Sequence, residues 1–513
     1  MLQHLTTAAS LEAARQQIAT LFGQHAEWFC TAGNNETYAL RRDEMHISIA
    51  QQRLVLSCWT EKGSRSWRIL GWQWNGQVLL LQASRKMGAE LPLIELVPRA
   101  AAAAVAATIR AARQIRCDKL AQLACASVLD TRIERAALSP GTRAGQPGRY
   151  ARIILRRKLT RIAVTGQVVS SNLASVDAFL SSALLWFKRT ADRVKLPYIE
   201  QLWLVVPVEL LKPLLFRVAL LRDGLKSAIR IFTIDDDLTN LNAAECLQPR
   251  DLWKKKVARF PSVPAATITP QTNAIIAEAP DAIDVVHARH GETLRYFGLP
   301  FARVRSLLGV ERVWFGVDAG SGRCLLDEAS RNDWENLLRD LRGYRSARAS
   351  DHHHAFYRLA AEAWLESILR RDITRLDPGL IIAPLHAQFR TGRGGGKLGI
   401  RPIDLLALRQ DGRLVVIELK VSEDREHVLQ GADYWRRVEA HRRRGHIARA
   451  KLFGELKISD EPPLVYLVAP TLRVHPSFQT LASFIASDIE IYRFDINEDW
   501  RAGVRVMRRL RVN

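Results

Sequence analysis

Cysteine is scarce in this 513-residue chain, and what there is lies scattered. Cys30, Cys58, Cys117, Cys125, Cys246 and Cys324 form no CxxC pair, and none stands near a histidine pair at zinc spacing. A zinc-finger framework is excluded, and the thiols read as reduced and mostly core. Long apolar runs are also missing. The best stretch, Leu202 to Leu221, carries Glu209, Lys212, Pro213 and Arg217, which excludes a membrane span. The start, MLQHLTTAASLEAARQQ, lacks the basic and apolar regions of a signal peptide, so a cytoplasmic location without a membrane partner is expected. Acid is the third scarcity: 53 Asp and Glu face 75 Lys and Arg, a net charge of +22. Such a surplus repels itself unless a polyanion is nearby, and nucleic acid is the usual one. The alternative is an arginine-rich composition without such a partner.

What is present points to a folded chain of two to four domains, with 48% hydrophobic residues. Residues 1–100 read as a β-rich domain, with Asn75-Gly76 as a hairpin turn. Trp59, Trp67, Trp72 and Trp74 in it suit a core or half-buried sheet face better than base stacking. An alanine-rich helix covers 99–125, and SPGTRAGQPG marks a loop. A strand–turn–strand at YARIILRRKLTRIAVTG, a helix over about 174–194 and the strand LWLVVP follow. Residues 260–350 form a linker and a small α+β segment. DHHH at 351–354 reads as a solvated loop, since three consecutive histidines cannot face one metal from a regular element. The overall fold class is α/β, multidomain.

The segment RPIDLLALRQDGRLVVIELKVS (401–422) carries the functional argument. Two apolar strands flank Gln410-Asp411-Gly412, which suits a three-residue hairpin loop with left-handed glycine last. That loop sets Arg409 opposite Arg413 and therefore Asp404 opposite Glu418, on one sheet face. Lys420, two residues on, shares the face. Three charges in an apolar hairpin are costly unless they pair or bind an ion. Two neighbouring carboxylates make a hard-oxygen site for Mg²⁺ or Mn²⁺. The opposing reading is a structural ion pair on an exposed face.

Pro402-Ile403-Asp404 followed by Glu418-Leu419-Lys420 resembles the PD-(D/E)xK nuclease superfamily, with one extra residue between the proline and the acid. Gln430 and Tyr434, at i and i+4 on a helix expected over about 425–444, resemble the Gln-x-x-x-Tyr motif of its RecB-like branch. The resemblance covers about 352–500. It implies a restriction-endonuclease-like αβββαβ core over 351–513, with Asp404 and Glu418 holding the metal and Lys420, Gln430 and Tyr434 beside it. It also implies an extra glutamate on the preceding helix (354–372), where Glu362 and Glu366 are the candidates and Glu366 is preferred. Arg390, Arg393, Lys397 and Arg401, on a glycine-rich loop, and Arg437 are candidate nucleic-acid contacts. Gly396-Lys397 is no P-loop, because no Ser or Thr follows.

Residues 101–259 repeat this order of elements without its acids. Superimposing the hairpins places Thr165 on Glu418, Gln167 on Lys420, and Ala151 or Arg152 on Asp404. A degenerate nuclease-like copy is therefore expected in the middle of the chain. The function expected is metal-dependent hydrolysis of phosphodiester bonds, most readily in DNA during repair, restriction or defence. The alternatives are an RNA nuclease using the same site, a non-catalytic nucleic-acid-binding protein, and a basic scaffold for protein partners.

Overall fold

The computed structural model describes every residue except 1–2, 6, 33–35, 51, 61–62, 85–92, 141–146, 169–174, 194–197, 236, 248, 254–267, 289–290, 308–309, 318–323 and 390–401. The described residues form a mixed α/β chain with four sheets, divided by its contacts into two compact units. The first unit joins residues 1–105 to 263–368, and the second joins 106–262 to 369–513.

The first unit holds two antiparallel sheets with separate cores. The N-terminal one turns at Asn75-Gly76, with Gly76 at φ +89° and Asn75 Oδ1 accepting from Gln77 N and Val78 N. Trp67 and Trp72 are buried in its core, and Trp74 packs against it. The other is a five-stranded sheet with the helix Arg331–Tyr344 packed on it. The proline-rich stretch expected as linker contains the helix Pro270–Ala277, capped by Thr269.

The DHHH segment is an exposed loop over 351–353 that ends at a helix cap. His354 caps a short helix, Ala355–Arg358, by accepting from Phe356 N, and stacks on Tyr344 at 3.7 Å. The single helix expected over 354–372 breaks after that turn and restarts as Ala361–Arg371, with Ala360 at φ +48°. The buried Arg345 guanidinium explains the break. It donates to the carbonyls of Phe356 and Leu359, acceptors that a continuous helix would use, and to those of Tyr296 and Phe297; Ala360 O accepts from it as well as from the helical Trp364 N.

The second unit holds two six-stranded sheets of the same design. In the C-terminal sheet, His386–Phe389, Ile403–Leu408 and Leu414–Leu419 pair antiparallel; Leu464–Pro470 and Ile491–Ile496 follow in parallel, and Val506–Arg511 closes antiparallel. In the middle sheet, Thr131–Pro140, Pro147–Arg157, Thr160–Gln167, Tyr198–Pro207, Ile229–Ile234 and Leu241–Ala244 repeat the order and every pairing sense. The registers agree as well: Thr165 pairs with Leu204 and Leu204 with Ile231, as Glu418 pairs with Leu467 and Leu467 with Arg493. The helices Val176–Arg193 and His427–Arg443 make the equivalent parallel crossovers. The short and edge strands (131–140, 241–244, 386–389 and 506–511) have apolar patterns too weak to mark them in the sequence.

A common core joins the two halves. Leu180, Leu184 and Leu214 pack in one cluster with Val428, Ala432, Trp435 and Leu467. An antiparallel bridge pairs Leu221 with Ile485, where Arg222 N donates to Phe484 O and Ala486 N to Leu220 O, both at 2.9 Å. Arg217 adds a buried ion-pair link, with Nε 2.8 Å from Asp177 Oδ1 and Nη1 2.7 Å from Asp433 Oδ1. The helix His427–Arg443 is therefore buried on both sides over its first half. Its expected apolar stripe, Val428, Trp435 and Val438, accounts for only part of that burial.

Candidate functional site

The loop chemistry of the 403–419 hairpin decides where the charges fall. Gly412 takes φ +83°, Gly412 N donates to Arg409 O, and Arg409 N donates to Arg413 O at 2.9 Å. From that turn the ladder runs Leu408–Leu414 to Leu405–Ile417. One further step sets Asp404 opposite Glu418, in the register expected from the loop. Leu414–Leu419 is buried along its whole length, as a central strand covered on both faces should be. Glu418 and Lys420 are thus charged side chains at the end of an apolar strand.

Glu418 is only 2% exposed and Lys420 9%. Lys420 Nζ donates to Glu418 Oε1 at 2.9 Å and lies 3.8 Å from Asp424 Oδ2. Asp404 Oδ2 accepts from Leu419 N at 2.9 Å, which fastens that carboxylate across the hairpin beside Glu418. Taking two charges out of water costs several kcal/mol per ion, and a well-packed apolar pair often serves stability equally well. The pair is therefore weak support for a purely structural role.

The helix His427–Arg443 covers this face. Gly431 lets it approach closely: a Cβ there would lie 2.6 Å from Leu467 Cδ2 and 3.1 Å from Val465 Cγ1. Tyr434, buried, faces the charges; burial and then the Glu418 carboxylate hold its phenol well above the usual range. Gln430 is buried one turn earlier, with Nε2 3.4 Å from Glu426 Oε2. His427, which the sequence reading passed over, places Nε2 3.2 Å from Glu418 O. Burial and then the Lys420 charge push it down to about 3, so it is neutral, and the carbonyl partner requires the proton on Nε2. A signal for it lay in the charged SEDREH connection between strand and helix.

Asp404, Glu418, Lys420 and Tyr434 thus come together, with Gln430 on the same helix. Arg437 is part-buried: its guanidinium lies 4.4 Å over the Tyr434 ring and 3.1 Å from Asp433 Oδ2. It belongs to the packing around Tyr434 and is not presented as an open surface cation. Glu362 is exposed. Glu366 is buried and accepts from Arg295 Nη2 at 3.3 Å, while Arg295 Nε holds Asp284 at 2.8 Å. The division between units falls after Ile368, so both glutamates count with the first unit. Arg390, Arg393, Lys397 and Arg401 lie outside the described residues.

Asp404 and Glu418 supply hard oxygen donors from adjacent strands. Mg²⁺ commonly takes one or two carboxylates and completes its shell with water and substrate phosphate. The donor set fits that habit. Among the described residues, no group of three or more His, Cys, Asp and Glu is placed to hold a metal by itself. At the equivalent positions of the middle sheet stand Arg152, paired across to Thr165, and then Gln167. That half has no carboxylate pair at this place. No helix among the described residues is long and apolar enough to cross a membrane. Comparison of the chain with family models, with curated proteins and with solved structures finds no match.

Proposed function

We propose that this chain is a metal-dependent nuclease that hydrolyses phosphodiester bonds, with DNA the preferred substrate and its site at Asp404, Glu418 and Lys420. The observation that carries the reading is the buried Glu418–Lys420 pair with the half-buried Asp404 carboxylate beside it, on one sheet face under Tyr434. A bound Mg²⁺ or Mn²⁺ would supply a Lewis acid for the phosphate oxygen and lower the pKa of a water molecule. Asp404 and Glu418 would hold that ion. Lys420, fixed by Glu418, is in place to orient the attacking water or to meet negative charge developing on the phosphate. Tyr434, kept protonated by its surroundings, can donate a hydrogen bond but not act as a base. The net charge of +22 suits a polyanionic substrate. The middle half, with the same strand order and no carboxylate pair, reads as a degenerate copy of the nuclease half. An RNA substrate would use the same chemistry, since an activated water needs no 2′-hydroxyl.

The test is cleavage of labelled single-stranded, duplex and flap DNA and of matched RNA, with Mg²⁺, Mn²⁺ or chelator. Cutting that needs metal and vanishes in Glu418→Ala and Lys420→Ala is expected. Binding without cutting, unchanged in both variants, would overturn the reading and leave a nucleic-acid-binding protein.

A further inference from the structure

The middle sheet does not merely lose the acids; at the place of Asp404 it reverses the sign. Arg152, directly across from Thr165, occupies the position that Asp404 holds across from Glu418. Its Nη2 reaches Ser182 Oγ at 3.5 Å, and its guanidinium carbon lies 5.8 Å from the centre of the Trp186 ring. Ser182, Trp186 and Arg189 fall at i, i+4 and i+7, one stripe of the helix Val176–Arg193, so Arg189 lies along the face that Arg152 meets. Arg135 pairs across from Ile154, two residues from Arg152 and therefore on the same sheet face. Arg425 comes from the other half, where its carbonyl accepts from Ser181 Oγ at 3.3 Å.

Among the described residues, no carboxylate pairs with Arg135, Arg152, Arg189 or the Arg425 guanidinium. Burial and then the charges of Arg189, Arg425 and Arg135 push Arg152 down to about 10. Gln167, at the place of Lys420 and on the face of Thr165, is 5% exposed, and its buried Nε2 has no hydrogen-bond partner among the described residues. Guanidinium groups brought near one another and paired with no carboxylate are unfavourable until an anion arrives, and their planar forks match phosphate oxygens.

We infer that the middle half carries a phosphate-binding site made by Arg152, Arg189, Arg135 and Arg425 with Gln167, and that its ligand is the phosphodiester backbone of a nucleic acid strand. The choice of anion rests on the nuclease reading; the cluster itself does not. Where one half would hold phosphate through a metal on carboxylates, the other holds it directly through arginine. Arg425 follows Asp424, which lies beside Lys420, so a strand held by the cluster is led toward the carboxylates.

The experiment uses the full chain with Glu418→Gln, in chelator, so that no cutting intervenes. Binding of a labelled single-stranded oligonucleotide is followed by fluorescence anisotropy over a salt series. Arg189→Gln and Arg425→Gln are singly and jointly introduced; both side chains are exposed, so folding is spared. Arg331→Gln, an exposed side chain at the start of a helix of the first unit, controls for lost charge. The double variant should bind about tenfold more weakly, with the salt dependence shallower by about 0.7 per arginine removed. Binding within twofold of the control would overturn the inference. Displacement of the oligonucleotide by an equal concentration of inorganic phosphate would mark a free-phosphate site and overturn the backbone assignment. Failure of the nuclease reading looks different: the metal-loaded wild type never cuts, while the arginine variants still lose binding.

Discussion

Lys420 and Glu418 show most clearly what a single side chain is worth here. Their side chains are 11% and 3% exposed and share one 2.9 Å contact. Removing one member of a buried pair leaves the other charge uncompensated, at a cost of about 3–5 kcal/mol. Lys420→Met should therefore lower the denaturation midpoint and also cut turnover by about 10²–10³-fold, as loss of a charge-stabilising donor does. Adding Glu418→Gln to Lys420→Met should restore much of the stability and none of the cleavage. A double variant no more stable than Lys420→Met would mean that the lysine supports the fold through something other than that carboxylate. Asp377 offers a comparison away from the site. Tyr466 Oη donates to its Oδ2 at 2.6 Å, and Arg409 Nη1 does so at 3.1 Å. Tyr466→Phe should cost about 1.5–3 kcal/mol, the worth of a hydrogen bond to a charged group, and leave nucleic-acid cleavage unchanged.

Elements set how far such residues could be read in advance. The register of the 403–419 hairpin was legible because a Gln-Asp-Gly loop admits few geometries, and Gly412 adopts the left-handed one. The Gln430–Tyr434 spacing was legible for the same kind of reason, since a helix fixes i and i+4. The break at Ala360 was not, because Arg345, which takes the Phe356 and Leu359 carbonyls there, is remote in sequence. Nor was the Arg295–Glu366 contact, which links residues 71 apart. The surroundings of Arg437 were not legible either, because only the fold places Asp433 and Tyr434 against its guanidinium. Gly431 carries the element-scale prediction. Alanine would gain about 1 kcal/mol of helix propensity, but its Cβ would press on Leu467 and Val465, and overpacking costs about 1–3 kcal/mol. The clash should win or nearly balance. Because relief requires the helix to lift from the sheet, Gly431→Ala should reduce cleavage more than it reduces melting temperature. Unchanged turnover at lowered stability would show that the helix position does not govern the site.

At the scale of the molecule, the two similar halves depend on each other. The helix His427–Arg443 buries Val428, Leu429, Ala432 and Trp435 in a core that also contains Leu180, Leu184 and Leu214 of the middle half. Separated, each half would expose that apolar face and leave charges of the Arg217–Asp433 link in the wrong surroundings. Residues 369–513 expressed alone should therefore aggregate or lack a cooperative unfolding transition, and co-expression with 106–262 should rescue them. A fragment that melts cooperatively alone would show that the shared core is dispensable. The link also makes the association acid-sensitive. Burial raises the Asp433 carboxyl, but Arg217, Arg436 and Arg437 outweigh it and hold the group well below the usual carboxylate range. A lowered folded-state value means that the stabilisation is present above about pH 4, the ordinary aspartate value, and is lost as pH falls through the folded one. The melting temperature of the wild type should thus drop as pH is taken below about 4, and Asp433→Asn, less stable at neutral pH, should drop less steeply. Parallel curves for the two proteins would place the acid sensitivity elsewhere and remove this ion pair as the tie between halves.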